Sequence, residues 1–237
     1  MQPTPNTARL AGALYLLMGL PAPFSLLYVP RTLIVGGDAT ATARNVLAHE
    51  GLFQAGIAAH LFTVTMFIFV AMVLYRLLNQ VNRMHAAVMV ILVLVSIPIS
   101  LFSLINEISA LALLRGSHYV AALGKAQVDA LALFLLVVRG KALLIAQIFW
   151  GLWLLPFGLL VMRSGFLPRI LGVLLIVNGV AYPIASVAAL FFPEHAPLVD
   201  RVLFPALLGE LWIMLWLVIK GAKVPDRAMS AGAAAAA

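Results

Sequence analysis

The sequence predicts an all-α, polytopic membrane protein: a six-transmembrane-helix bundle with short interfacial helices in the outer loops. Two observations carry that expectation. Of the 237 residues, 64% are hydrophobic and 10% are charged, against about 45–50% and 25% in soluble domains. The apolar residues also fall in runs long enough to supply the roughly 20 helical residues that cross a bilayer. A soluble fold would leave most of that surface in water.

The first span is expected at residues 8–30. Only Arg9 precedes its apolar run, which continues to Val29 with no clean small-x-small site, so it reads as a retained helix and not a signal peptide. Gly36-Gly37-Asp38 then makes a turn. The mixture of small and polar residues with Val46 and Leu47 over 39–49 predicts a short amphipathic helix on the membrane surface. Spans follow at 51–77 and 86–114, the latter long enough to tilt or project beyond the bilayer. Residues 127–138 read as a second surface helix that bends at Arg139-Gly140 into a span at 138–162, and the last spans fall at 169–192 and 202–220. Residues 1–221 thus form one membrane domain, followed by a disordered, alanine-rich tail at 222–237. Pro21, Pro98 and Pro183 stand at similar depths in the first, third and fifth spans. Each proline frees a carbonyl and kinks its helix.

Short basic loops near 78–85 and 163–168, with Arg76, Arg83, Arg163 and Arg169, place both termini on the cytoplasmic side of a bacterial inner membrane. The net charge of +7 follows from such helix-end cations facing anionic lipid, and no separate basic arm suggests nucleic acid. Cysteine is absent, which removes disulfides, thiolate catalysis and Cys-based metal sites.

Function is expected where polar groups sit at membrane depth. Glu107 and Glu210 lie inside apolar spans, where a carboxylate costs on the order of 3 kcal/mol and is paired, protonated or functional. Ser96, Ser100, Ser103 and Glu107 recur at spacings of 4, 3 and 4, so they share one helix face, with Asn106 beside them. Asn178, Tyr182 and Ser186 share a face of the fifth span; Gln147, Gly151, Leu154 and Gly158 share one of the fourth, whose small residues suit close packing. His60 lies in the second span, and Arg139 and Lys141 stand at the outer mouth of the fourth. These residues predict a polar cavity opening outward that holds a small ligand, an anion or a proton. The plainer reading is a buried ion-pair network that fixes helix register. No His-Glu-x-x-His pair, P-loop or Gly-x-Ser-x-Gly elbow occurs, and no cofactor or metal is expected.

The segment Arg163-Ser164-Gly165-Phe166-Leu167-Pro168-Arg169-Ile170-Leu171-Gly172 resembles the bacterial membrane family named domain of unknown function 4386. So do Ala8 to Gly12 with Tyr15, residues 37–53, Val81-Asn82-Arg83, Gly209-Glu210-Leu211 and Lys220-Gly221, in the family's order. The resemblance implies an integral membrane protein and no particular activity. It also implies a shared role for Glu210. Family members often carry a histidine and a tyrosine where this chain has Arg139 and Lys141, and a histidine in place of Trp153, which speaks against histidine-based metal chemistry. The expected function is binding, transport or sensing in contact with membrane lipids, the protein acting alone or as a homodimer. The alternatives are a membrane enzyme acting on a lipid or isoprenoid, and a structural subunit of a membrane complex.

Overall fold

A computed structural model describes residues 5–116 and 122–222. Of the expected tail, residues 223–237 lie outside them. The described residues contain helices and no strand, as the bilayer demands of a chain that must satisfy its own backbone polar groups. Six segments are long and apolar enough to cross a membrane: Asn6–Leu33, Glu50–Leu78, Arg83–Leu114, Lys125–Arg163, Arg169–Phe191 and Ala196–Ile219. The protein is a multi-pass membrane protein.

The helices are α1 (Pro5–Gly19), a π-helix (Phe24–Tyr28), α2 (Val29–Leu33), α3 (Ala39–Ala48), α4 (Glu50–Leu78), α5 (Arg83–Leu114), α6 (Lys125–Leu152), α7 (Leu154–Arg163), α8 (Arg169–Phe191), α9 (Ala196–Leu207) and α10 (Gly209–Ile219). They belong to two compact units. One comprises the described parts of Met1–Leu16, Ile68–Leu94 and Ile148–Ala237, and the other comprises Leu17–Phe67 and Val95–Gln147.

In the unit built on Leu17–Phe67 and Val95–Gln147, the core gathers Val29, Leu33, Val46, Phe53, Ala110, Leu111, Ala132 and Leu136. The loop helix α3 forms where its turn predicts it. Gly37 takes the left-handed backbone (φ +78°) that suits glycine, and the Asp38 carboxylate accepts the Ala41 amide at 2.8 Å as N-cap. Thr42 fastens the loop by accepting the Val35 amide at 3.0 Å.

Residues 127–138 are not a separate surface helix, and the chain does not bend at Arg139-Gly140; α6 runs unbroken from Lys125 to Leu152. A helical glycine costs only about 1 kcal/mol relative to alanine, too little to break a helix anchored on both sides. The break falls at Trp153 instead, between α6 and α7.

In the other unit, α6 and α7 pack against α8 through paired glycines. A Cβ on Gly158 would sit 2.7 Å from the Gly172 carbonyl, and one on Gly172 would sit 2.6 Å from that of Gly158. One antiparallel step away, a Cβ on Gly151 would meet the Gly179 carbonyl at 2.7 Å and Pro183 Cδ at 2.4 Å. Pro183 lacks the N–H that would bond the Gly179 carbonyl, so Gly151 lets a neighbouring backbone close over the group that the proline frees. Such close approach is how membrane helices gain packing without a hydrophobic driving force.

Candidate functional site

Three of the six membrane segments are discontinuous. The first breaks at Leu20–Pro21 and the sixth at Leu208, which separates α9 from α10, while the fourth is interrupted at Trp153 alone, whose amide and carbonyl keep their helical bonds to Phe149 and Phe157. Broken spans expose backbone polar groups inside the protein and recur at binding sites of transporters. The polar residues of this chain gather near such places.

Glu107 is held in the Leu17–Phe67 and Val95–Gln147 unit. Arg139 Nε donates to its Oε1 at 2.5 Å, and His60 Nδ1 stands 3.3 Å from its Oε2. Glu107 and Arg139 are each 5% exposed and His60 is 1% exposed, so water does not share the charges. Arg139 Nη2 donates to the Ser25 carbonyl at 3.3 Å. That carbonyl is available for a local reason. In the π-helix the Val29 amide reaches back to the Phe24 carbonyl, and the next amide position, which would reach Ser25, is Pro30 and has no N–H. A π-turn thus presents an acceptor to the guanidinium, in keeping with the placement of π-bulges at functional positions. The far ring nitrogen of His60, Nε2, is buried and has no hydrogen-bond partner.

Glu210 belongs to the other unit and has different company. It lies in the first turn of α10, where the helix dipole favours negative charge. Tyr15 donates its hydroxyl to Oε1 at 2.9 Å. Among the described residues no basic side chain reaches Glu210 at ion-pair distance. Tyr15 is 0% exposed and its ring tilts against Trp153, the residue at the α6–α7 break, at a centroid distance of 5.9 Å. Tyr182 is within electrostatic range of both Tyr15 and Glu210. One turn before Tyr182, the fully buried Asn178 leaves both its amide nitrogen and oxygen without partners. Gly209, the residue before Glu210, packs on Asn178, since a Cβ there would be 3.2 Å from the Asn178 Cβ.

The other expected site residues distribute as follows. Asn106 donates its side-chain amide to the Phe102 carbonyl at 2.8 Å, a bond within its own helix. Gln147 is half-buried, two turns beyond Arg139 on α6. Lys141 is exposed and takes no part in the Glu107 cluster. Residues two apart on a helix do not share a face, so Lys141 cannot follow Arg139 inward. His60, Glu107 and Arg139 are brought together, as are Tyr182 and Glu210, and each carboxylate lies in its own unit with its own partners. Among the described residues no three His, Cys, Asp or Glu side chains converge as a metal site. Sequence reading passed over Ser25; it placed Asn178 on the Tyr182 face but not beside Glu210, and singled out Trp153 only through the family resemblance. Pro30, five residues after Ser25, was the available signal for Ser25.

Comparison with known proteins gives a family and no activity. The chain matches the family described as Domain of unknown function (DUF4386) over residues 10–221. A stretch of 82 residues is 34% identical to a protein of Archaeoglobus fulgidus named "Uncharacterized protein" and covers 35% of this chain. That stretch spans 48%, about half, of the relative's own length. No solved structure matches.

Proposed function

The chain belongs to the DUF4386 family, and we propose that it binds a proton or a small monovalent cation at Glu210, as a transport or sensing component of the membrane. The observation that carries this reading is the contrast between the two carboxylates. Glu107 has a guanidinium at 2.5 Å, so its charge is balanced from within. Glu210 has a tyrosine hydroxyl at 2.9 Å and no cationic partner among the described residues. A carboxylate at membrane depth without a countercharge draws one from outside the chain. A proton or a small cation serves, and oxygen donors are what such a cation needs. Tyr15, Tyr182 and the unpartnered Asn178 amide supply them beside a broken span. The short basic loops argue for placing both termini on the cytoplasmic side of a bacterial inner membrane.

The test is thermal unfolding of the purified protein in detergent, with sodium, potassium or choline chloride at several pH values. A ligand that binds only the folded state stabilises it by RT ln(1 + [L]/Kd), about 2.7 kcal/mol at a hundred times Kd. The wild type should gain stability from sodium, potassium or protons and gain none from choline. Glu210→Gln should abolish that gain and Tyr15→Phe should reduce it. If wild type and Glu210→Gln respond alike to every cation and pH, the proposal fails.

A further inference from the structure

A second site lies on α4 and α5, on residues that the Glu210 reading does not use. The α4 and α5 helices flank a groove of about 370 Å³ lined by Met72, Tyr75, Arg76, Ala87, Val90 and Ile91. That volume falls within the roughly 300–1,000 Å³ of small-molecule sites. Its walls are apolar except at the end nearest the α4–α5 turn. There Arg76 lines the groove one helical turn after Met72, and Arg83, just outside the lining, precedes Ala87 by one turn and so shares its helix face. Both arginines are exposed, and among the described residues neither finds a carboxylate. None is within reach in sequence either, because no Asp or Glu occurs between Gly51 and Asn106.

We propose that this groove holds one anionic phospholipid, its phosphate on Arg76 and Arg83 and one acyl chain along Met72, Val90 and Ile91. The choice of occupant follows from charge and place. Both helices are membrane segments, so what covers an apolar groove between them is lipid. Two uncompensated guanidinia at the polar end of that groove select an acidic headgroup, and arginine's planar fork suits a phosphate. Basic pockets between membrane helices bind acidic lipids in this manner.

The experiment is native mass spectrometry of the full chain in detergent, titrated with phosphatidylglycerol, phosphatidylcholine or glycerol 3-phosphate. Phosphatidylglycerol should bind on the order of 30-fold more tightly than phosphatidylcholine, as two near-surface arginines predict. The double substitution Arg76→Gln/Arg83→Gln should erase that preference while leaving the melting temperature near wild type, since both side chains are exposed. Ala87→Phe, which fills the groove, should weaken both lipids. Should Ala87→Phe fail to fold, the arginine pair still decides the matter. Equal binding of the two lipids by the wild type, or an unchanged preference in the double variant, overturns the proposal. Displacement of phosphatidylglycerol by equimolar glycerol 3-phosphate does so too, because the acyl chain would then contribute nothing.

Discussion

Replacing Glu107 by glutamine keeps its volume and removes its charge, so the change isolates the electrostatic share of the Glu107–Arg139 pair. The Arg139 Nε lies 2.5 Å from Glu107 Oε1 and both residues are 5% exposed. Removing one partner of a buried ion pair costs about 3–5 kcal/mol, because the other is left as an uncompensated buried charge. What remains for Arg139 is two neutral acceptors, the substituted amide's oxygen and the Ser25 carbonyl at 3.3 Å, and neither supplies the countercharge. Glu107→Gln should therefore fall in the 3–5 kcal/mol range. Arg139→Gln strands the carboxylate beside His60 at 3.3 Å and should fall at the lower end. In the double variant two amides can bond each other, so its loss should be at least about 2 kcal/mol less than the sum of the single losses. Reversible unfolding in mixed dodecyl maltoside and dodecyl sulfate micelles, followed by circular dichroism, measures all three. Additivity to within about 0.5 kcal/mol, the behaviour of independent sites, would refute the pairing.

Two backbone predictions use the same assay. Gly140→Ala should stabilise the protein by about 0.5–1 kcal/mol, because a Cβ there meets nothing within 4 Å and α6 is continuous through it; a loss would mean that the helix depends on glycine at this point. Gly158→Leu should destabilise by about 1–3 kcal/mol or more, since even a Cβ would press on the Gly172 carbonyl at 2.7 Å; a neutral result would mean that the α7 and α8 backbones are not in contact.

The six membrane segments were legible in the sequence because length and apolarity alone decide them, and α3 was legible because Gly37 and Asp38 announce its start. Which polar residues meet was less so. In a soluble helix the apolar stripe marks the inward face, whereas a helix in lipid is apolar on nearly every side and its rotation leaves little trace. The serine stripe on α5 did identify the face that carries Glu107. Nothing in the spacing distinguished the inward Arg139 from the exposed Lys141 except that the two cannot share a face. The break at Trp153 was not read from the sequence although Gly151 precedes it by two residues and Pro156, which has no N–H for the Leu152 carbonyl, follows it by three; Gly151 was read as a packing residue, while Gly140, which suggested a break, lies in an unbroken helix. Asn178 and Tyr182 were placed on one face of the fifth span, yet their neighbour Glu210 comes from a helix that starts at Gly209, and that start is visible only once α9 and α10 are seen to be separate.

The central claim is that Glu107 is balanced by the protein itself and Glu210 by an exchangeable proton or cation. Infrared difference spectroscopy tests it most directly, comparing wild type, Glu107→Gln and Glu210→Gln through pH jumps and sodium exchange. The account predicts a carboxyl or carboxylate band in the wild type that responds to one of these changes, persists in Glu107→Gln and vanishes in Glu210→Gln. A responsive band that vanishes in Glu107→Gln and persists in Glu210→Gln, or no responsive band in the wild type, would contradict it.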